Sequence, residues 1–351
     1  MAVNLAACVT AFLVTFLVLP VIIKYSLRKN LVDTPGRRKI HKRVTPSLGG
    51  IAIFLGFATA SMFWMDFSQW SDIRFVLASL VIIFMIGVRD DLVPFRALHK
   101  LFGQIVAVVI LSFSTIHIGS FYGLFGIYEI PLGLSYFITV LTIIVITNSF
   151  NLIDGLDGLA GSVGLVALLA FSIWFFLAGD FMFALFGFAM IGGILAFLFF
   201  NWEPSEIFMG DTGAMVIGML LAIMAIHFLN VNETLPVGHM IKFSAPIGSV
   251  AAFIIVPLSD TLRIIILRLS KGQSPFSPDK SHIHHALMRL GFTHSRTAMI
   301  LALINAFFIG LSFLLSDFGD KVVLPVIIMS SLVLSIILDR LIIRKLSMKA
   351  T

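Results

Sequence analysis

The chain has 351 residues, of which 59% are hydrophobic and 12% charged, with a mean hydropathy of +1.06. So much apolar side chain exceeds what a soluble core can bury, which excludes a soluble globular protein and leaves a chain solvated by lipid. The formal net charge of +6 is first a question of topology rather than of nucleic acid, and the single cysteine, Cys8, excludes a disulfide framework and a cysteine-rich metal site.

Apolar runs of roughly 17–25 residues, enough to cross a hydrocarbon core as helices, recur at 3–23, 47–66, 72–89, 99–118, 132–150, 158–178, 180–200, 211–230, 240–268, 297–316 and 320–342. They predict an all-α, polytopic integral membrane protein of about eleven transmembrane helices, forming one domain over 1–351. The first run has its basic residues after it and no small-residue cleavage pattern, which makes it a retained span rather than a signal peptide. Internal Gly, Pro and Ser are frequent, as membrane helices tolerate when neighbours re-satisfy the freed backbone. No internal repeat of the kind many transporters carry is visible.

If the loop after the first helix is cytoplasmic, that side holds eight Lys/Arg between Lys24 and Arg43, three between Arg89 and Lys100, six between Arg263 and Arg296, and four from Arg340 onward. Of the 24 basic residues only Arg74, Lys242 and Lys321 fall on the other side. This bias sets the N-terminus outside and the C-terminus in the cytoplasm, and it accounts for the basic charge without nucleic acid.

The polar clusters then fall on one predicted face. The first loop, 35-PGRRKIHKRVTPSLGG-50, is a topology signal that also offers His41, Lys42 and Ser47 to a phosphate at the Gly-Gly helix start. Asp90-Asp91 ends the third helix; the pair either marks the water boundary or divides metal and proton duties. In 148-NSFNLIDGLDGLAG-161, Asn151, Asp154 and Asp157 stand three apart, along one stripe of a helical turn. Such hard oxygen donors suit magnesium, while a solvated loop or helix cap is the bland alternative. Asp211, in 207-IFMGDTGAM-215, opens the eighth helix as a ligand or an N-cap. The run 279-DKSHIHHALMRLG-291 supplies His282, His284 and His285 beside Asp279, Lys280 and Arg289, a set that fits a diphosphate better than zinc. His99, His117, His227, His239 and His294 are left as packing or interface residues.

The ordered set of a DD pair, NLIDGLDGLAG, FMGDTG and SHIHH resembles the polyprenyl-phosphate N-acetylhexosamine-1-phosphate transferase superfamily, glycosyltransferase family 4, over almost the whole chain. HIHH and the helix number are similar to the branch that starts O-antigen, enterobacterial common antigen and wall teichoic acid synthesis; the muramoyl-pentapeptide branch is the alternative. The resemblance implies transfer of N-acetylglucosamine 1-phosphate from its UDP-sugar to undecaprenyl phosphate in a bacterial inner membrane, with the active site facing the cytoplasm. Other UDP-N-acetylhexosamines remain alternatives for the donor, and a homodimer is compatible with the reading. It further implies that Asp211 binds magnesium, or manganese in its place, with Asn151 close to the same metal. Asp90 matches the base for the lipid phosphate, Asp91 its partner, and Asp154 and Asp157 residues needed for activity. Asn201 and Phe208 align with a uracil pocket, His282, His284 and His285 with the diphosphate, and Lys42, Ser47 and Lys100 with the lining of the cleft. A transporter, the reading of a different class, would be expected to gather its ionisable groups near the midplane instead of at helix ends on one face.

Overall fold

The computed structural model describes residues 1–31, 45–274 and 282–350. Lys42 and His41, and likewise Asp279 and Lys280, lie outside the described residues. Among the described residues thirteen α-helices follow one another: α1 Ala2–Lys29, α2 Gly49–Trp64, α3 Trp70–Leu92, α4 Ala97–Leu111, α5 Leu132–Ile153, α6 Leu159–Leu177, α7 Phe181–Asn201, α8 Gly210–Thr234, α9 Pro246–Phe253, α10 Ile255–Ser270, α11 Ile283–Arg289, α12 His294–Leu315 and α13 Asp320–Ala350. No strand occurs among the described residues.

Helix α1 shows how lipid and packing divide a surface. Asn4, Ala7, Ala11, Thr15 and Leu19 recur at three- and four-residue spacing and are buried, whereas Val3, Leu5, Val9, Leu13, Leu17 and Val21 are exposed. An apolar face left open to the surroundings is stable only in hydrocarbon, and this is a polytopic membrane protein. The helix ends in left-handed Asn30, whose N–H bonds back to Leu27, after Arg28 and Lys29 meet the negative helix end.

Among the described residues eight helices, α1, α3, α5, α6, α7, α8, α12 and α13, are long and apolar enough to cross a membrane, and the bent pair α9–α10 adds a ninth candidate. Helices α2 and α4 have 16 and 15 residues, about 24 and 22 Å of helix against a core of about 30 Å. Each apolar run of the sequence therefore contains a helix, though not each is of full spanning length. The end of α4 is local: the Ser112 and Ser114 hydroxyls donate to the Val109 and Leu111 carbonyls and close off the last turn.

Helix α8 is buried on nearly every side from Thr212 to Leu229, the pattern of a central helix, and α2, α3, α5, α6 and α9 pack on it. Its start is held by close backbone contact. Gly49 N and Gly50 N donate to Phe208 O and Met209 O, at 3.0 and 2.8 Å, and Phe208 N donates to Pro46 O at 2.7 Å. A methyl group on Gly87 would lie 2.5 Å from Thr212 Cα, so α3 reaches the same turn only because its residue has no side chain. At the far side of the core, α9 and α10 meet at 83°. The buried amide of Asn305, on α12, repairs that break: Nδ2 donates to Phe253 O at 2.9 Å, and Oδ1 accepts from Val256 N at 3.4 Å.

Candidate active site

The end of α3, the start of α4, the end of α5 and the start of α8 converge at one end of the bundle, around Lys100. Its Nζ donates to Asp211 Oδ1 at 2.6 Å and to Asn151 Oδ1 at 3.4 Å, and it lies 3.2 Å from Asp90 Oδ2. Asn151 Nδ2 also donates to Asp211 Oδ1, at 2.5 Å. Lys100 Nζ thus bridges the Asp90 and Asp211 carboxylates, so one cation holds two acids that would otherwise repel. Asp90 is 8% exposed and its Oδ1 accepts from Phe95 N at 2.5 Å, which fixes the α3–α4 turn. Lys100, expected only to line a cleft, is the centre of the arrangement.

The second aspartate of the DD pair does something else. Adjacent helical residues point about 100° apart, and Asp91 turns toward α8, where its carboxylate accepts from Asp211 N at 2.7 Å, Thr212 N at 3.0 Å and Thr212 Oγ1 at 2.5 Å. It is an N-cap supplied from another helix. Gly210, with φ of 74°, places its backbone against the Ser47 carbonyl, where a side chain would overlap. Ser47 is thereby set beside the first turn of α8, next to Asp211.

The NLIDGLDG segment leaves α5 at Asp154 and enters α6 at Leu159. The Asp154 carboxylate has no hydrogen-bond partner among the described residues, and burial together with the charges of Asp211, Asp91 and Asp157 pushes it up to about 8. Asp157 is the opposite case. Burial would raise it, but His294 at 3.2 Å and the Ser205 hydroxyl at 2.9 Å outweigh burial and hold it below the usual carboxylate range. Asn201 Oδ1 accepts from Gly158 N and its Nδ2 donates to Ile207 O, both at 2.8 Å. The structure thus gives Asn201 a bracing role between two site loops, with half-buried Phe208 just beyond it on the strand of backbone bonded to Pro46 and Gly49.

The histidines close the other wall. His284 is 2% exposed, and its ring lies over Gly155, where an added Cβ would sit 2.8 Å from Nε2. Burial first, and then the charge of His285, bring its pKa down to about 3, so at neutral pH it is a neutral hydrogen-bonding group. The rings of His282 and His284 stack 5.5 Å apart, and those of His284 and His285 lie 4.3 Å apart. His282 Nδ1 is 2.9 Å from Asp260 Oδ2.

Sequence reasoning missed three of these residues. His294, left as packing, faces Asp157, with Nδ1 3.2 Å from its carboxylate. Ser205 has no motif around it. Asp260 lies inside an apolar run, and an acid in such a place was itself the signal. As for a metal, no three carboxylate or imidazole groups among the described residues form a closed cage. The set is open, with Asp211 and Asp90 both at Lys100 and an amide beside Asp211, and it fits a cation that uses one or two carboxylates and completes its shell with water and substrate phosphate, as magnesium does.

Over residues 73–229 the sequence matches the family described as glycosyl transferase family 4. It is 31% identical over 311 residues to the undecaprenyl-phosphate alpha-N-acetylglucosaminyl 1-phosphate transferase of Salmonella typhi, covering 86% of this chain and 81% of the relative. The chain belongs to glycosyl transferase family 4. The Yersinia pestis transferase of the same name is 32% identical over 81% of this chain and 76% of its own. A Bacillus subtilis protein described as a probable undecaprenyl-phosphate N-acetylglucosaminyl 1-phosphate transferase is 29% identical over 86% and 82%. The family match runs from α3 through most of α8 and so contains Asp90, Asp91, Lys100, Asn151, Asp154, Asp157, Asn201, Phe208 and Asp211. The histidine segment and Asp260 lie beyond it.

Proposed function

We propose that this family 4 member transfers N-acetylglucosamine 1-phosphate from UDP-N-acetylglucosamine to undecaprenyl phosphate, releasing UMP. The observation that carries the reading is the meeting of Asp90, Asn151 and Asp211 around Lys100 at one end of the bundle, in a chain whose relatives bear that activity in their names. A phosphate oxygen of the acceptor bonds to the sugar-bearing phosphorus as the bridge to the other phosphorus breaks, and UMP leaves with the bridging oxygen. The acceptor is a phosphate monoester with a second pKa of about 6, largely ionised at neutral pH, so Asp90 contributes more by placement beside Lys100 than by taking a proton. Lys100 supplies positive charge where the phosphates meet the carboxylates. Asp211 and Asn151 would hold a magnesium ion, with manganese able to replace it, and the ion would neutralise charge on the diphosphate. His282 and His285 would meet that diphosphate from the opposite wall.

The same proposal sets the site at the cytoplasmic face of a bacterial inner membrane, with the N-terminus outside and eleven crossings, the short α2 and α4 included. The basic residues flanking the site end support it. The test is direct: purified protein with undecaprenyl phosphate and magnesium is offered UDP-N-acetylglucosamine, UDP-N-acetylgalactosamine and UDP-muramoyl-pentapeptide, and UMP is measured with and without a chelator. Release with the first donor, lost on chelation, is expected. No UMP from any donor would refute the transferase reading, and preference for another donor would move the sugar assignment.

A further inference from the structure

We propose that Asp260 is the positioning residue that fixes His282, its orientation and its protonated ring nitrogen, for the transfer step. The inference rests on the reading that His282 meets the donor diphosphate.

Asp260 sits on α10, 22 residues before His282 in sequence, and is 1% exposed. A carboxylate so deeply buried is costly unless hydrogen-bonded partners hold it. Its Oδ2 lies 2.9 Å from His282 Nδ1, and its Oδ1 accepts from Ile283 N at 2.8 Å. A carboxylate can only accept, so Nδ1 carries a proton. Nε2, the other ring nitrogen, has no hydrogen-bond partner among the described residues and is the one left for a ligand. The ring plane is fixed from a second direction as well. His282 and His284 are stacked within 7° of parallel, and His284 rests on Gly155, one residue from Asp154. One edge of His282 is therefore held by α10, and one face by His284, which itself lies against the loop that leaves α5.

This arrangement has a chemical consequence. With Asp260 on Nδ1, the ring is turned so that an Nε2–H can donate to a phosphate oxygen, the buried carboxylate on the far edge strengthening that bond. The charge it would meet grows on the departing UMP as its bond to the sugar-bearing phosphorus breaks. Asp260 also sits correctly to cap α11, through Ile283 N. Asp260→Asn separates the two roles: its amide oxygen still accepts from Ile283 N, but its NH2 group faces Nδ1 and forces the proton off that nitrogen, the tautomer change described for the serine protease aspartate.

The experiment uses the full chain with undecaprenyl phosphate and UDP-N-acetylglucosamine, and measures kcat, KM and the melting temperature of Asp260→Asn, His282→Gln and the double variant. Asp260→Asn is expected to lower kcat by about 10²-fold, the scale of a positioned acid or base, with KM for the donor and melting little changed. The double variant is expected to be no slower than His282→Gln alone. Full activity of Asp260→Asn, or a double variant whose loss is the product of the two single losses, would overturn the inference and leave Asp260 as a cap. Wild-type turnover of His282→Gln would instead remove the reading of His282 at the diphosphate. Should Asp260→Asn not fold, Asp260→Glu, which keeps the carboxylate and shifts it, carries the same comparison against His282→Gln: losses that coincide support the pair, and losses that multiply overturn it.

Discussion

Asp91→Ala should uncouple the two members of the DD pair. The wild-type carboxylate serves three donors at the start of α8, the N–H groups of Asp211 and Thr212 and the Thr212 hydroxyl, at 2.7, 3.0 and 2.5 Å. Replacing an N-cap by Ala costs about 1–2 kcal/mol, and leaving donors without a charged acceptor costs about 1–3 kcal/mol. These overlap, and the site is partly reached by water, so a loss of about 2–3 kcal/mol is expected. The damage should reach the chemistry through the backbone, because the loosened turn carries Asp211. Asp90→Asn keeps the acceptor for Phe95 N and removes one of the two carboxylates gathered at Lys100, so it should lower kcat while leaving the melting temperature unchanged or higher. Thermal melting in detergent, read beside UMP release, separates the cases. An Asp91→Ala protein as stable as wild type and yet inactive would refute the capping argument and place Asp91 in the chemistry itself.

Gly210→Ala should melt lower than Asp91→Ala and lose activity, since φ of 74° costs an L-residue about 1–2 kcal/mol and its methyl would also overlap the Ser47 carbonyl; wild-type melting would show that the turn can relax. Lys100→Met removes the cation between Asp90 and Asp211 and should lower kcat/KM by roughly 10²-fold or more, an expectation that near-normal UMP release would contradict. Stability without divalent ions should fall as pH rises from about 4 toward 8, because Asp154, pushed up to about 8, keeps its proton in the folded chain and loses it in the unfolded one. Asp154→Asn should flatten that slope in melting curves recorded with chelator, and an unchanged slope would assign it to another group.

The lengths of the apolar runs were enough to place a helix in each, because a membrane helix is specified by little more than a stretch of side chains that lipid accepts. The grouping of acids, Lys100 and histidines at one end was legible too, from alternation of helix ends and the bias in basic residues. What each side chain does there was less so. Asp90 and Asp91 are neighbours in sequence, yet the helical step sends one to Lys100 and the other to α8. Asn201 reads as a substrate ligand and is found bracing Gly158 and Ile207. The break at Ile254 was hidden because Asn305, 51 positions later, completes it. Partners so distant leave no local pattern.

Asp260, Asp91 and Glu203 share a device that explains why so few acids build so ordered a site. Each lies near the site end and accepts at the start of a helix it does not belong to: Asp91 on α8, Asp260 on α11, and Glu203, from the loop after α7, on α12, where Oε2 accepts from Ser295 N at 3.0 Å beside that helix's own cap, the Thr293 hydroxyl on Arg296 N. At the opposite end Asp320 does the same for α9, accepting from Ile247 N and Gly248 N. A helix capped by its own preceding residue can shift without breaking its cap. One capped by a neighbour cannot, since any slide between the two helices strips donors of their acceptor and costs free energy at once. The first turns so fixed carry Asp211, His284 with His285, and His294, the side chains that require the closest placement. Packing between helices far into the bilayer is in this way converted into fixed distances among the polar groups at its surface, and a change in either should register in the other.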